Sequence, residues 1–131
     1  SGDGIWPIFF AIVNRTGYQG SFRNGCFVIE GKSGWQKRFY FFSLNAQYNG
    51  STIWQEGTLY ILPKEEFSPS NRGLIRFDEW CNSRPVVPLA KMCVSARDFP
   101  FLQNVTWHDE KENIWTTWLK YKKRQSSQRN A

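Results

Sequence analysis

Cysteine, histidine, long apolar runs and acids near the C-terminal end are all scarce in this sequence, and each scarcity removes a class of function. The three cysteines, Cys26, Cys81 and Cys93, are odd in number and widely spaced. That argues against a disulfide scaffold and reads as buried thiols in a reducing, intracellular setting, cytoplasmic or nuclear. No two of them stand at the two-to-four-residue spacing of structural zinc, so a Cys3His site completed by His108 is not expected. His108 is the single histidine. To act in catalysis it needs a nucleophile and an orienting partner, and nothing in the spacing of the cysteines selects one. The longest apolar run, residues 5–13, has nine residues and cannot span a bilayer. The first four residues, Ser-Gly-Asp-Gly, lack the positive region of a signal peptide, so the expectation is a soluble protein. Three Asn-x-Ser/Thr triplets, at Asn14, Asn49 and Asn104, point the other way, towards secretion.

Aromatic residues, by contrast, are plentiful: 7 Trp, 11 Phe and 5 Tyr in 131 residues. This composition opposes disorder and supplies apolar burial enough for one domain of this length without a metal or a disulfide. The net charge of +6 is unevenly placed. Residues 120–131 hold five bases and no acid, which leaves the rest of the chain at +1. Within that remainder, residues 14–55 hold Arg15, Arg23, Lys32, Lys37 and Arg38 against Glu30 alone. Residues 56–119 hold seven bases and nine acids. A body polarised in this way steers an anionic partner to one side.

Residues 5–13 are β-branched and aromatic and read as a buried strand starting near Ile8, with Pro7 at an irregular entry. Residues 15–25, rich in glycine, read as a loop. Residues 26–30 and 35–43 read as strands joined by the turn 31–34, a hairpin. Further strands are expected at 58–62 and 89–95, and a helical turn at 64–67 behind Pro63. Residues 74–81 fit a short helix or irregular structure equally well. Residues 98–102 read as an aromatic turn. Thr106 and Asp109 have capping-box spacing for a C-terminal helix, whose apolar face is Ile114, Trp115, Trp118 and Leu119. The fold class expected is α+β, predominantly β. It comprises a small curved sheet or half-open barrel of five or six strands with one C-terminal amphipathic helix, all in a single domain spanning residues 1–124. Residues 125–131 form a basic, frayed tail.

Alternation places Trp35, Lys37, Phe39 and Phe41 on one face of the third strand and Gln36, Arg38, Tyr40 and Phe42 on the other. Cations interleaved with rings are what single-stranded nucleic acid requires, since cations hold phosphates while rings stack on bases. The same pattern also fits a central strand covered on both faces, its Lys and Arg emerging at one end. The leading expectation is a non-enzymatic binding module for an anionic polymer, with nucleic acid as the partner. Phosphate contacts fall to Arg15, Arg23, Lys32, Lys37 and Arg38, and stacking to Tyr18, Trp35, Tyr40 and Trp54.

A second expectation is a small enzyme acting on a nucleotide or nucleic acid. The Gly/Arg loop 15–25 would hold phosphate, with Glu30, Glu56 or His108 as acid or base. That loop has no Gly-Lys-Ser/Thr and is not a P-loop. Glu30-Gly-Lys32 resembles the acid-x-Lys pair of the PD-(D/E)xK metal-dependent nucleases. The one upstream acid is Asp3, which leaves a metal short of carboxylates. A third expectation is a secreted carbohydrate-binding domain, resting on exposed Trp and the three triplets. No catalytic or metal-binding set and no cofactor motif is identified.

Overall fold

The computed structural model describes residues 1–129. The chain begins with a helix, α1 (Ile5–Ile12), where a strand is expected from composition. Ile5, Ile8, Phe9 and Ile12 stand at helical spacing, and Phe9 and Ile12 are fully buried. Pro7 does not oppose this. It occupies the first turn, where a backbone N–H has no intrahelical partner to lose. The Asp3 carboxylate satisfies two of the orphan donors instead, accepting from Ile5 N at 2.8 Å and Trp6 N at 3.4 Å.

The expected hairpin forms, from β1 (Phe22–Glu30) and β2 (Gln36–Asn45), paired antiparallel along their full lengths. Two short strands complete this sheet. β5 (Ile75–Phe77) runs antiparallel to β1, and β8 (Thr106–His108) runs parallel to β2, giving the order β5-β1-β2-β8. Separate two-stranded ribbons are made by β3 (Gly57–Ile61) with β7 (Ala90–Val94), and by β4 (Ser68–Pro69) with β6 (Trp80–Cys81). The architecture is thus α+β and mostly sheet, with eight strands in three open sheets among the described residues, where five or six strands are expected; none of these sheets closes into a barrel. A single-turn 3-10 helix follows Pro63 at Lys64–Glu66, where a helical turn is expected.

The C-terminal helix, α2 (Ile114–Arg129), starts later than the Thr106–Asp109 spacing implies. Thr106 is already committed to β8, where its hydroxyl donates to Phe42 O at 3.1 Å, and Asn113 takes over the helix start by accepting from Trp115 N at 2.8 Å. The face that packs also differs from the expected one. Thr117, Trp118 and Tyr121 turn inward, while Ile114, Trp115 and Leu119 are exposed. Arg124 fixes this rotation by donating to Val105 O and Gln103 O. The helix continues through residues 125–129, which composition suggested would fray; Asn130 and Ala131 of the expected tail lie outside the described residues.

The main core lies between one face of the sheet and α1, with Val94 of the β3–β7 ribbon joining it. Phe9 is its centre, with ring contacts to Phe22, Phe42 and Phe99 at 4.7–5.5 Å. The opposite sheet face receives α2, through Phe41 against Trp118 and Tyr121 and Phe27 against Trp118. α2 covers only part of that face. No helix among the described residues is long and apolar enough to cross a membrane.

Candidate functional site

The hairpin register settles which side chains share a surface. Phe27 pairs with Phe39, Ile29 with Lys37, and Gly31 N donates to Trp35 O at 2.9 Å. Paired residues project to the same side, so Trp35, Lys37, Phe39 and Phe41 lie on the α2 face, as the alternation predicts. Phe77 pairs with Phe27 and Ile75 with Ile29, extending this face onto β5. The inner half of β2, from Phe41 to Asn45, is buried, whereas residues 36–39 are exposed. The strand is therefore covered on both faces at one end and open at the other.

The open end forms a shelf. Trp35 is 55% exposed, and Phe39, Ile75 and Phe77 are exposed beside it. Lys37 Nζ lies 5.1 Å from the Phe39 ring centre, and Lys122 Nζ lies 5.8 Å from that of Trp118, where α2 bounds the shelf. Glycine makes the tip possible. Gly34 has φ of 82°, a conformation that favours glycine. A Cβ on Gly31 would fall 2.0 Å from Trp35 Nε1, so the indole lies directly over the Gly31 backbone.

The cations divide by face. On the α1 side, Arg38 Nε is 3.4 Å from Asp78 Oδ2 and Arg76 Nη1 is 3.0 Å from Glu30 Oε2. Asp78 is buried and also accepts from Ser1, Gly2 and Trp80; these bonds and Arg38 lower its pKa against a desolvation penalty that acts to raise it. Lys32 in the turn and Lys37 on the α2 face have no ion pair among the described residues.

The remaining expected contacts lie elsewhere. Arg15 is exposed at the far end of β1, its guanidinium 4.8 Å over Phe22. Arg23 is half-buried and bonds Thr117 Oγ1 at 2.7 Å and Glu110 O, tying α2 to the sheet. Tyr18 is buried, its hydroxyl donating to Ser21 O and accepting from Asn45 N, so it offers no ring face to a ligand. Burial raises its pKa above the usual phenol range. Tyr40 is half-buried and donates to Asp3 Oδ2 at 2.5 Å, and burial with that acceptor raises its pKa. Trp54 is half-buried and lines a shallow cavity of about 250 Å³ with Glu56 and Arg97. The structure thus puts Trp35 and Lys37 on one face, with Lys32 exposed in the adjoining turn, and separates the other six.

The acids proposed for catalysis do not meet the glycine loop: Glu30 pairs with Arg76, and Glu56 neighbours Arg97 across the shallow cavity. No three His, Cys, Asp or Glu side chains among the described residues are grouped to hold a metal. All three cysteines are free. Cys26 is buried, its pKa pushed up to about 12 chiefly by burial, while Cys81 and Cys93 are exposed where buried thiols are expected.

Comparison with protein-family models, curated proteins and solved structures found no match. Function therefore rests on this chain's own geometry.

A second constellation sets His108 against the loop 15–25, as the enzyme expectation placed it, but through Ser21, which the sequence does not single out. His108 is fully buried, with Ser21 Oγ 2.5 Å from Nε2 and Ser43 Oγ 2.8 Å from Nδ1. Serines 87 and 65 positions away carry no local signal that pairs them with a histidine.

Proposed function

We propose that the chain is a binding module for single-stranded nucleic acid, which lies along the open half of the α2 face. One observation carries this reading. The α1-face cations Arg38 and Arg76 are paired with acids, while Lys37 on the α2 face and Lys32 in the adjoining turn have no ion pair among the described residues, and Lys37 stands between the exposed Trp35 and Phe39 rings. Phosphates neutralise the lysines and bases stack on the rings, each stack contributing about 1–3 kcal/mol. Lys122 supplies a third cation at the shelf's inner boundary.

The test is titration of a pyrimidine 12-mer, followed by Trp fluorescence, at several salt concentrations. Two or three phosphate contacts predict a fall in affinity of roughly 10- to 40-fold between about 50 and about 300 mM salt. Lys37→Glu and Trp35→Ala each weaken binding, but only the lysine change flattens the salt dependence. Absence of binding at low salt, or binding indifferent to salt, overturns the reading.

A further inference from the structure

The Ser21–His108 centre lies at the opposite end of β1 from the shelf, about 25 Å along the strand. Ser43 has one hydroxyl proton and two acceptors within reach, Thr106 O at 3.1 Å and His108 Nδ1 at 2.8 Å. Where that proton goes to Thr106 O, Ser43 Oγ accepts from His108 Nδ1–H and the bare Nε2 of the ring faces the Ser21 hydroxyl, the tautomer in which the ring can act as a base. The parallel pairing of β8 with β2, Ser43 opposite Thr106 and Asn45 opposite His108, holds these groups in place.

Beside the serine is an anion slot. Ser21 N donates at 2.6 Å to Glu110 Oε1, and Asn45 Nδ2 donates to that same oxygen. Two N–H donors on one negative oxygen, one of them from the backbone of the serine itself, form the arrangement that stabilises a tetrahedral oxyanion in acyl transfer. Here the oxygen is the chain's own. These donors, together with a hydrogen bond from the Ser21 side chain, lower the Glu110 carboxyl to about 2.

We propose that Ser21 is a latent nucleophile for acyl esters, activated by His108 and oriented through Ser43, and that Glu110 plugs its oxyanion slot. Ser21 is half-exposed and Glu110 exposed, so rotation of one side chain opens the slot without moving β1 or β8. In the step, Ser21 Oγ bonds to the ester carbonyl carbon and its proton passes to His108 Nε2. The carbonyl π pair moves onto the oxygen held by Ser21 N and Asn45 Nδ2. Collapse of this adduct breaks the bond to the leaving alkoxide, which takes the proton from Nε2. The products are acyl-Ser21 and an alcohol; water then repeats the sequence to release the acid.

The test uses a fluorophosphonate probe, which Ser21 Oγ attacks at phosphorus with loss of fluoride, read by intact mass and peptide mapping. Wild-type protein labels slowly. Glu110→Ala labels at Ser21 faster by something on the order of 10²-fold, the scale of an oxyanion-slot effect. Adding Ser21→Ala abolishes the adduct, and adding His108→Gln slows it. In Glu110→Ala the rate falls on acidification as His108 protonates, among the charges of Arg23, Asp109 and Glu112 that face it. Ser43→Ala on this background shifts that pH midpoint, the mark of a positioning residue. If Glu110→Ala fails to fold, Glu110→Ser, whose side chain is too short to reach the slot, gives the same readout. Labelling that Glu110 substitution leaves unchanged, or an adduct that survives Ser21→Ala, overturns the proposal. Lys37→Glu, which tests the nucleic-acid reading, leaves the labelling unchanged.

Discussion

His108 is surrounded by charge of both signs, yet its pKa is lowered, chiefly by burial and then by Arg23. The sign of its effect on stability follows. Above about 6.5 both folded and unfolded chains leave the ring neutral and its contribution is intact. As pH falls below that value the unfolded chain takes up a proton that the folded chain refuses, and stability declines until the lowered folded value is passed. Thermal melting is therefore expected to move down between pH 7 and pH 5, and His108→Gln to reduce that slope. An unchanged slope in the variant shows that other groups dominate this window. Glu110 acts lower, between its ordinary value of 4.5 and about 2, so the two are separable. Gly31 offers a second prediction at this scale. Gly31→Ala places a methyl inside the Trp35 indole and displaces the ring. The tip is exposed, so global stability is expected to change little while the Trp emission shifts and oligonucleotide binding weakens.

At the scale of elements, α1 shows how a few polar bonds redirect an apolar segment. Its composition is that of a strand, and its eight residues are too few for a helix to stand alone in water. Capping by Asp3 and the burial of Phe9 and Ile12 decide in favour of the helix. Asp3→Ala removes the cap and also the acceptor of the Tyr40 hydroxyl. Equilibrium denaturation is expected to report a loss of about 1–2 kcal/mol. A neutral result assigns the first turn's order to packing alone. The C-terminal helix teaches the converse: three of the four residues of its expected apolar face, Ile114, Trp115 and Leu119, face out, because Arg23 and Arg124 bind a different rotation to the sheet and to the loop before β8.

For the whole molecule, Phe9 is the point where helix, sheet and the turn bearing Phe99 meet. Phe9→Ala leaves a cavity common to all of them and is expected to cost about 3–5 kcal/mol, lowering the denaturation midpoint of the whole cooperative unit. If α2 and the hairpin melt separately from α1 in that variant, the layers are not one unit.

The hairpin, its turn and the sides of its residues were legible in the sequence, because period-two alternation and turn glycines are local properties that register preserves. So was the division of charge between the halves of the chain. So was the covered strand with its Lys and Arg emerging at one end, which β2 turns out to be. The helical character of α1, the true start of α2 and the separate open sheets were not. Each depends on partners far along the chain, such as the sheet face under Phe9 and the β2 strand that claims Thr106. Tyr18, Tyr40 and Arg23 looked like ligand contacts for the same reason, since nothing local reveals that Asn45, Asp3 and Thr117 already hold them. The Ser21–His108–Ser43 centre belongs wholly to tertiary structure, for only the parallel pairing of two strands more than sixty residues apart sets a base against those hydroxyls.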